Sequence, residues 1–256
     1  MNFRTDLPVR SPGYKRSYFS IGLFALSAML CAPTARALPT CLGLSTSLAP
    51  GGAVSPGDCT GVGAGTLLAT LTAPFSSATG KVAGTLVSAV YQETGGTLDF
   101  LFQVMNGTNC TNPTPGAGCD PMIRVTDFSF AGVTTGAATR TDGGNNSSST
   151  GLGGGDPFVN GDTTPSTADR NAPGDTVGFS FPQNLGDQIN PGHGSIVLII
   201  TTNATSFTVG HASVVDGGTT TVASFQPLST APEPASFGLI SLGLFAVGAL
   251  RRKFRA

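Results

Sequence analysis

The sequence predicts an all-β protein, an antiparallel β-sandwich, and three observations predict it. Short runs that alternate apolar and polar residues recur between positions 65 and 225. The turns between them draw on 36 Gly and 18 Pro, residues that punctuate strands and break helices. Nowhere between positions 38 and 230 do apolar residues repeat with the 3.6-residue period of an amphipathic helix. At about 190 residues this middle part is long enough for one sizeable core.

The elements follow in order. GTLLATLT (65–72) and KVAGTLVSAVYQ (81–92) are the first two strands. TLDFLFQVM (97–105) sets Leu98, Phe100, Phe102 and Val104 on one face, opposite Asp99, Leu101, Gln103 and Met105. Glu93, Thr94, Gly95 and Gly96 between the second and third read as a hairpin turn. IRVTDFSF (123–130), TVGFSF (176–181), SIVLIITT (195–202), SFTVGHASVV (206–215) and TTTVASF (219–225) complete the set. Asp216, Gly217 and Gly218 join the last two as a tight hairpin. SIVLIITT is apolar on both faces, which places it in the middle of a sheet. Jelly-roll and immunoglobulin-like sandwiches both fit. The Cys–Trp–Cys arrangement of true immunoglobulin domains is absent, because the chain has no Trp. The stretch 141–175 holds few apolar residues beyond Leu152, Phe158 and Val159 and reads as a long, partly disordered surface loop.

Both ends are set apart from this body. Arg4, Arg10, Lys15 and Arg16 precede the apolar run 18–30, and Ala35 and Ala37 stand where a signal peptidase reads small residues. A secretory signal peptide is expected over 1–37, with the mature chain starting at Leu38. Export changes the reading of the cysteines. Cys31 leaves with the leader, and Cys41, Cys59, Cys110 and Cys119 remain, an even number in an oxidising compartment. Four cysteines allow three connectivities. Cys41–Cys59 and Cys110–Cys119 are favoured, because each closes a Gly/Pro-rich loop locally. A zinc site is disfavoured, since no CxxC occurs and neither His193 nor His211 is near a cysteine in sequence.

Between 38 and 230 the basic residues are Lys81, Arg124, Arg140 and Arg170. Four basic against twelve acidic residues give a formal charge of −8. Such a body argues against nucleic acid, whose binding needs Lys and Arg on phosphates.

At the other end Pro232, Glu233 and Pro234 lead into sixteen uncharged residues, 235–250, and then Arg251, Arg252, Lys253 and Arg255. As a helix the apolar run reaches about 24 Å, a short single transmembrane span. The basic cluster marks its cytoplasmic side. The prolines hold the triplet extended just outside the span. This order of triplet, span and basic end resembles the PEP-CTERM sorting domain, over 231–256. The resemblance implies export by a Gram-negative bacterium and recognition by an exosortase, a membrane-embedded processing enzyme that removes the tail near the triplet. It also implies an inner-membrane intermediate, then the cell surface or extracellular matrix, with a link to biofilm and extracellular polysaccharide.

No catalytic constellation is expected. Ser195, His193 and Asp187 could be written as a triad, but nothing in their spacing supports one, and no nucleophile elbow occurs. No cofactor is expected. Calcium is the one candidate ligand, with Asp156, Asp162, Asp169 and Asp175, beside Asp142, crowding the long loop. A structural or matrix-associated protein is therefore the first reading. A polysaccharide-binding lectin or adhesin is the alternative, weakened by the absence of Trp, and a secreted hydrolase comes last.

Overall fold

The computed structural model describes residues 41–228, apart from 112–118, 144–151, 153–154, 183, 185 and 217. The expected signal peptide and the tail therefore lie outside the described residues. After a 3-10 turn at Cys41–Gly43, thirteen strands follow: β1 (Thr46–Ser47), β2 (Ala53–Val54), β3 (Gly57–Asp58), β4 (Thr66–Ser76), β5 (Ala83–Gln92), β6 (Leu98–Asn106), β7 (Arg124–Asp127), β8 (Thr135–Arg140), β9 (Thr167–Arg170), β10 (Val177–Ser180), β11 (Val197–Thr202), β12 (Phe207–Val215) and β13 (Thr219–Pro227). One sheet has the order β1-β8-β11-β6-β5-β4, with β3 beside β8; the other has the order β13-β12-β7-β10-β9-β2. Every pairing is antiparallel except the short β3–β8 pair.

Alternation along the strands builds the sandwich. Leu98, Phe100, Phe102 and Val104 of β6 point inward with Leu86 and Val90 of β5 and Leu198 and Ile200 of β11, and meet Val125, Val177, Phe179 and Val214 of the second sheet. As the sequence predicts, β11 is central and buried on both faces. Its other face joins a second cluster with Val87, Ala89, Tyr91, Leu101, Leu152 and Phe158, closed over by Cys41 and Cys59.

Both predicted hairpins are present. Glu93 N–H donates to Thr97 O across the β5–β6 turn at 2.9 Å, and Asp216 N–H to Gly218 O at 3.0 Å. The fourth expected strand stops early, at Asp127, because Ser129 takes a left-handed conformation (φ 71°) that turns the chain out of the sheet.

Five strands were not predicted. β1, β2 and β3 are two-residue pieces with no pattern to read. β8, TGAATR, is too rich in small residues to alternate, and the packing requires them: a Cβ on Gly136 would sit 2.5 Å from Ser45 Oγ and 2.6 Å from Thr201 Oγ1. β9 is a correction to the expected loop at 141–175. From residue 155 onward, hydrogen bonds order this stretch where apolar residues are lacking. Arg170, 5% exposed, donates to the carbonyls of Gly174, Phe130 and Val133 at 2.6–2.9 Å. Gln103 of β6 clamps the Val159 backbone, donating to its carbonyl at 2.7 Å and accepting its N–H at 2.9 Å.

The registers give the sandwich two distinct ends. At one lie the β5–β6 turn, the β7–β8 and β9–β10 links, residues 203–206 between β11 and β12, and the end of β13 at Pro227. This is the exit end, where the chain leaves for its tail. At the far end lie the β4–β5 turn, the β12–β13 hairpin and the longer links 107–123, 141–166 and 181–196.

Candidate functional site

The favoured disulfides both form, Cys41–Cys59 and Cys110–Cys119, with Cα–Cα distances of 5.4 and 5.2 Å. The sorting residues Pro232, Glu233 and Pro234, the basic cluster Arg251, Arg252, Lys253 and Arg255, and the cleavage residues Ala35, Ala37 and Leu38 lie outside the described residues. So does the expected span at 235–250; among the described residues no helix is long and apolar enough to cross a membrane.

The paper triad is not assembled around Ser195. His193 Nδ1 pairs with Asp162, both side chains about half exposed. Ser195 is fully buried, and its hydroxyl accepts the Val104 N–H at 3.1 Å. Burial costs the Asp162 carboxyl a little, but hydrogen bonds with His193 and Thr163 hold it below the usual carboxylate range.

The calcium candidates are likewise kept apart. Asp169 grips Arg124 through both oxygens, at 2.5 and 2.6 Å. Gly178 lies beneath this pair: a Cβ there would stand 2.1 Å from Arg124 Nη2, so the guanidinium crosses β10 only because residue 178 is glycine. Asp175 is held below the usual range by the Asn171 amide and the Thr176 hydroxyl. Asp156 accepts the Phe158 N–H at 3.1 Å, and burial raises its pKa. Among the described residues no three His, Cys, Asp or Glu side chains converge as a metal site.

Charge inside the fold follows a pattern that sequence reasoning missed. Arg140, fully buried on the outer face of the first sheet, donates to Asp142 at 2.7 and 2.9 Å. Asp142 also accepts the Gly61 N–H at 2.9 Å and so ties the Cys59 loop to β8. Burial works against the Asp142 carboxylate, yet Arg140 and Gly61 hold it below the usual range. Burial pushes the nearby Tyr91 phenol up, and Asp156 adds to the effect. At the exit end Glu93 and Asp99 are buried together, 4% and 1% exposed. Burial first, and then the Glu93 carboxyl, push Asp99 up to about 9. Between the sheets, burial raises Asp127 well above the usual range, partly offset by the Phe128 N–H and the Ser224 hydroxyl. The available signal was scarcity: three of the body's four basic residues serve as internal ties.

Two surface cavities lie at opposite ends of the sandwich. The far-end cleft, about 340 Å³, is lined by Ser77, Thr79, Lys81, Val82, Asp120, Val214, Asp216, Gly218 and Thr220. Burial, then Asp120, push the Asp216 carboxyl up to about 6, against the pull of Lys81. The exit-end cavity, about 260 Å³, is lined by Leu42, Ser45, Ser47, Thr97, Thr134, Thr135, Gly136, Thr201, Thr202 and Asn203, with no charged side chain.

Residues 230–253 match the family model of the PEP-CTERM protein-sorting motif. The motif implies exosortase-dependent sorting to the outside of a Gram-negative cell. No curated protein and no solved structure matches the chain.

Proposed function

We propose that the chain, bearing this sorting motif, is a structural protein of the cell surface or extracellular matrix. It is exported, held in the inner membrane by its tail, and released when an exosortase-type enzyme cuts near the Pro-Glu-Pro triplet. The match at 230–253 carries the reading. The body is consistent with a passive role and is assigned no catalysis: Arg124, Arg140 and His193 are each committed to a carboxylate, and Ser195 is sealed.

The test is Pro234→Ala, which frees Glu233 to enter a helix growing outward from residue 235. The variant is expected to accumulate as a membrane-held precursor, larger by the mass of the tail. Leu250→Ala, which trims the span and keeps the triplet, is expected to be processed. Normal C-terminal processing of Pro234→Ala, read by intact-mass spectrometry, overturns the motif's role.

A second reading, binding of a polysaccharide, is favoured by the far-end cleft. It groups the hydroxyl-bearing Ser77, Thr79 and Thr220 with Asp120, Asp216 and Lys81 in a volume within the range of small-ligand sites. Retention of the exported protein on native matrix polysaccharide, lost in Thr79→Val with Asp216→Asn, would support it. Equal retention of the double variant would exclude the cleft.

A further inference from the structure

The two ends of the sandwich differ in what they expose. Leu42, Leu68, Val209 and Leu228 are large apolar side chains 43–60% exposed. Leu42 lines the exit-end cavity beside Asn203. Leu68 sits in the β4 bulge opposite Tyr91 and Val90, at the end of β5 that leads to the exit-end turn. Val209 is the third residue of β12, which starts at the exit end. The Leu228 N–H donates to Ser206 O at 3.0 Å. Residues from both sheets, far apart in sequence, thus meet at the same end.

Charge is distributed the opposite way. Lys81, Asp120, Asp162, Asp187 and Asp216 lie toward the far end, in its turn, hairpin and long links. At the exit end Glu93 is buried, and Asp175 is the one partly exposed carboxylate among the described residues there, held in its charged form by Asn171 and Thr176. β12 spans the sandwich with nine residues, about 30 Å. That exceeds three Debye lengths of about 8 Å at physiological salt.

The chain's path selects the partner. Leu228 is the last described residue, and residues 229–234 separate it from the apolar run that starts at Ala235. Six residues reach at most about 22 Å when fully extended. A span that enters the bilayer at Ala235 therefore keeps the exit end close to the lipid surface.

We propose that the exit end is a membrane-contacting face. While the tail is in place, Leu42, Leu68, Val209 and Leu228 rest on the lipid interface, and Asp120, Asp162, Asp187 and Asp216 lie at the end away from a surface that anionic lipid makes negative. The occupant is a lipid bilayer surface. The inference rests on the sorting-tail reading above.

The chain has no Trp, so each introduced Trp is a sole reporter. Full-length chain is placed in vesicles whose phospholipids are brominated near the headgroup, since bromine quenches Trp on contact. Four single variants are compared: Leu42→Trp and Leu68→Trp at the exit end, Val159→Trp on the far half of the first sheet, and Phe237→Trp in the tail. The expected result is quenching and a blue shift for Leu42→Trp, Leu68→Trp and Phe237→Trp, and neither for Val159→Trp. Quenching of the tail reporter without the exit-end reporters overturns the membrane-contacting face and leaves the tail reading intact. A blue shift at Leu42 and Leu68 without bromine quenching assigns the face to a second copy and also overturns it. An unquenched Phe237→Trp shows that the span does not insert and removes the premise itself.

Discussion

The exit end and the far end of the sandwich hold polar groups by different means. At the exit end Arg170 is buried among carbonyl oxygens with no carboxylate bonded to it, and Asp99 shares its pocket with another carboxyl. On the far side ions are paired, Arg140 with Asp142 and His193 with Asp162, while Arg124 reaches Asp169 across the middle of the second sheet. One end is organised by hydrogen bonds and protonation, the other by charge.

The sharpest way to break this comparison is to remove one ion of the buried pair. Asp142→Ala leaves Arg140 charged and fully enclosed, and a stability loss of about 3–5 kcal/mol is expected from urea unfolding. Leu42→Ser at the exit end should change it by less than about 0.5 kcal/mol. A loss under 1 kcal/mol for Asp142→Ala, on the order of a surface pair, would show that the Arg140 pair is not buried as described. Next in size is the covalent tie that holds the Cys59 loop over the second cluster. Cys41→Ala with Cys59→Ala opens a loop of separation 18, at a cost of about 3 kcal/mol in the chain-entropy account; an unchanged urea midpoint would show that this loop is held without it.

Titration separates the two ends. Asp99 keeps its proton in the folded chain up to about 9, while the unfolded chain releases it near pH 4. The folded state binds the extra proton between those values, so stability falls as pH rises through that window. Asp216 acts with the same sign, but only from about pH 4 up to about 6. Between pH 6 and 9 the decline is therefore expected from Asp99, with the buried Asp127 acting in the same direction, and not from Asp216. Asp99→Asn should make melting temperature fall less steeply with pH in this range, while Asp216→Asn leaves the slope unchanged. A flat wild-type profile would show that Asp99 is not held protonated in the folded chain. The smallest effect belongs to Arg124→Ala: its partly exposed pair with Asp169 should contribute no more than about 1 kcal/mol, less at high salt.

What could be read from the sequence was whatever repeats. β4, β5, β6, β11, β12 and β13 announce themselves by alternation, and both hairpins by their turn residues. β8 does not, because the side chains packed against it demand small Gly and Ala, and β9 does not, because its four residues are too few and too polar to show a pattern. Arg170 and Gln103 order a stretch that looks too polar to fold, and their role depends on carbonyls supplied by distant parts of the chain. The partners of His193 and Asp169 were hidden for the same reason: Asp162 and Arg124 are 31 and 45 residues away. The sorting signal was legible because it is local, with all its parts in one short run.

The place of β13 ties folding to sorting. β6 finds one neighbour at once in β5, but its other partner is β11, about a hundred residues later, where Leu101 faces Ile199. Such long-range pairings are slow to form. In a chain exported N-terminus first, the apolar β6 is an open sheet edge until β11 has crossed. The second sheet waits longer still, since its β12–β13 hairpin ends at Pro227. By then only the short connection to residue 235 remains to cross before the apolar run meets the bilayer. On the proposed sorting route, the last strand becomes free to pair at about the moment the tail reaches the bilayer, so anchoring would hold the domain at the membrane while the sandwich closes.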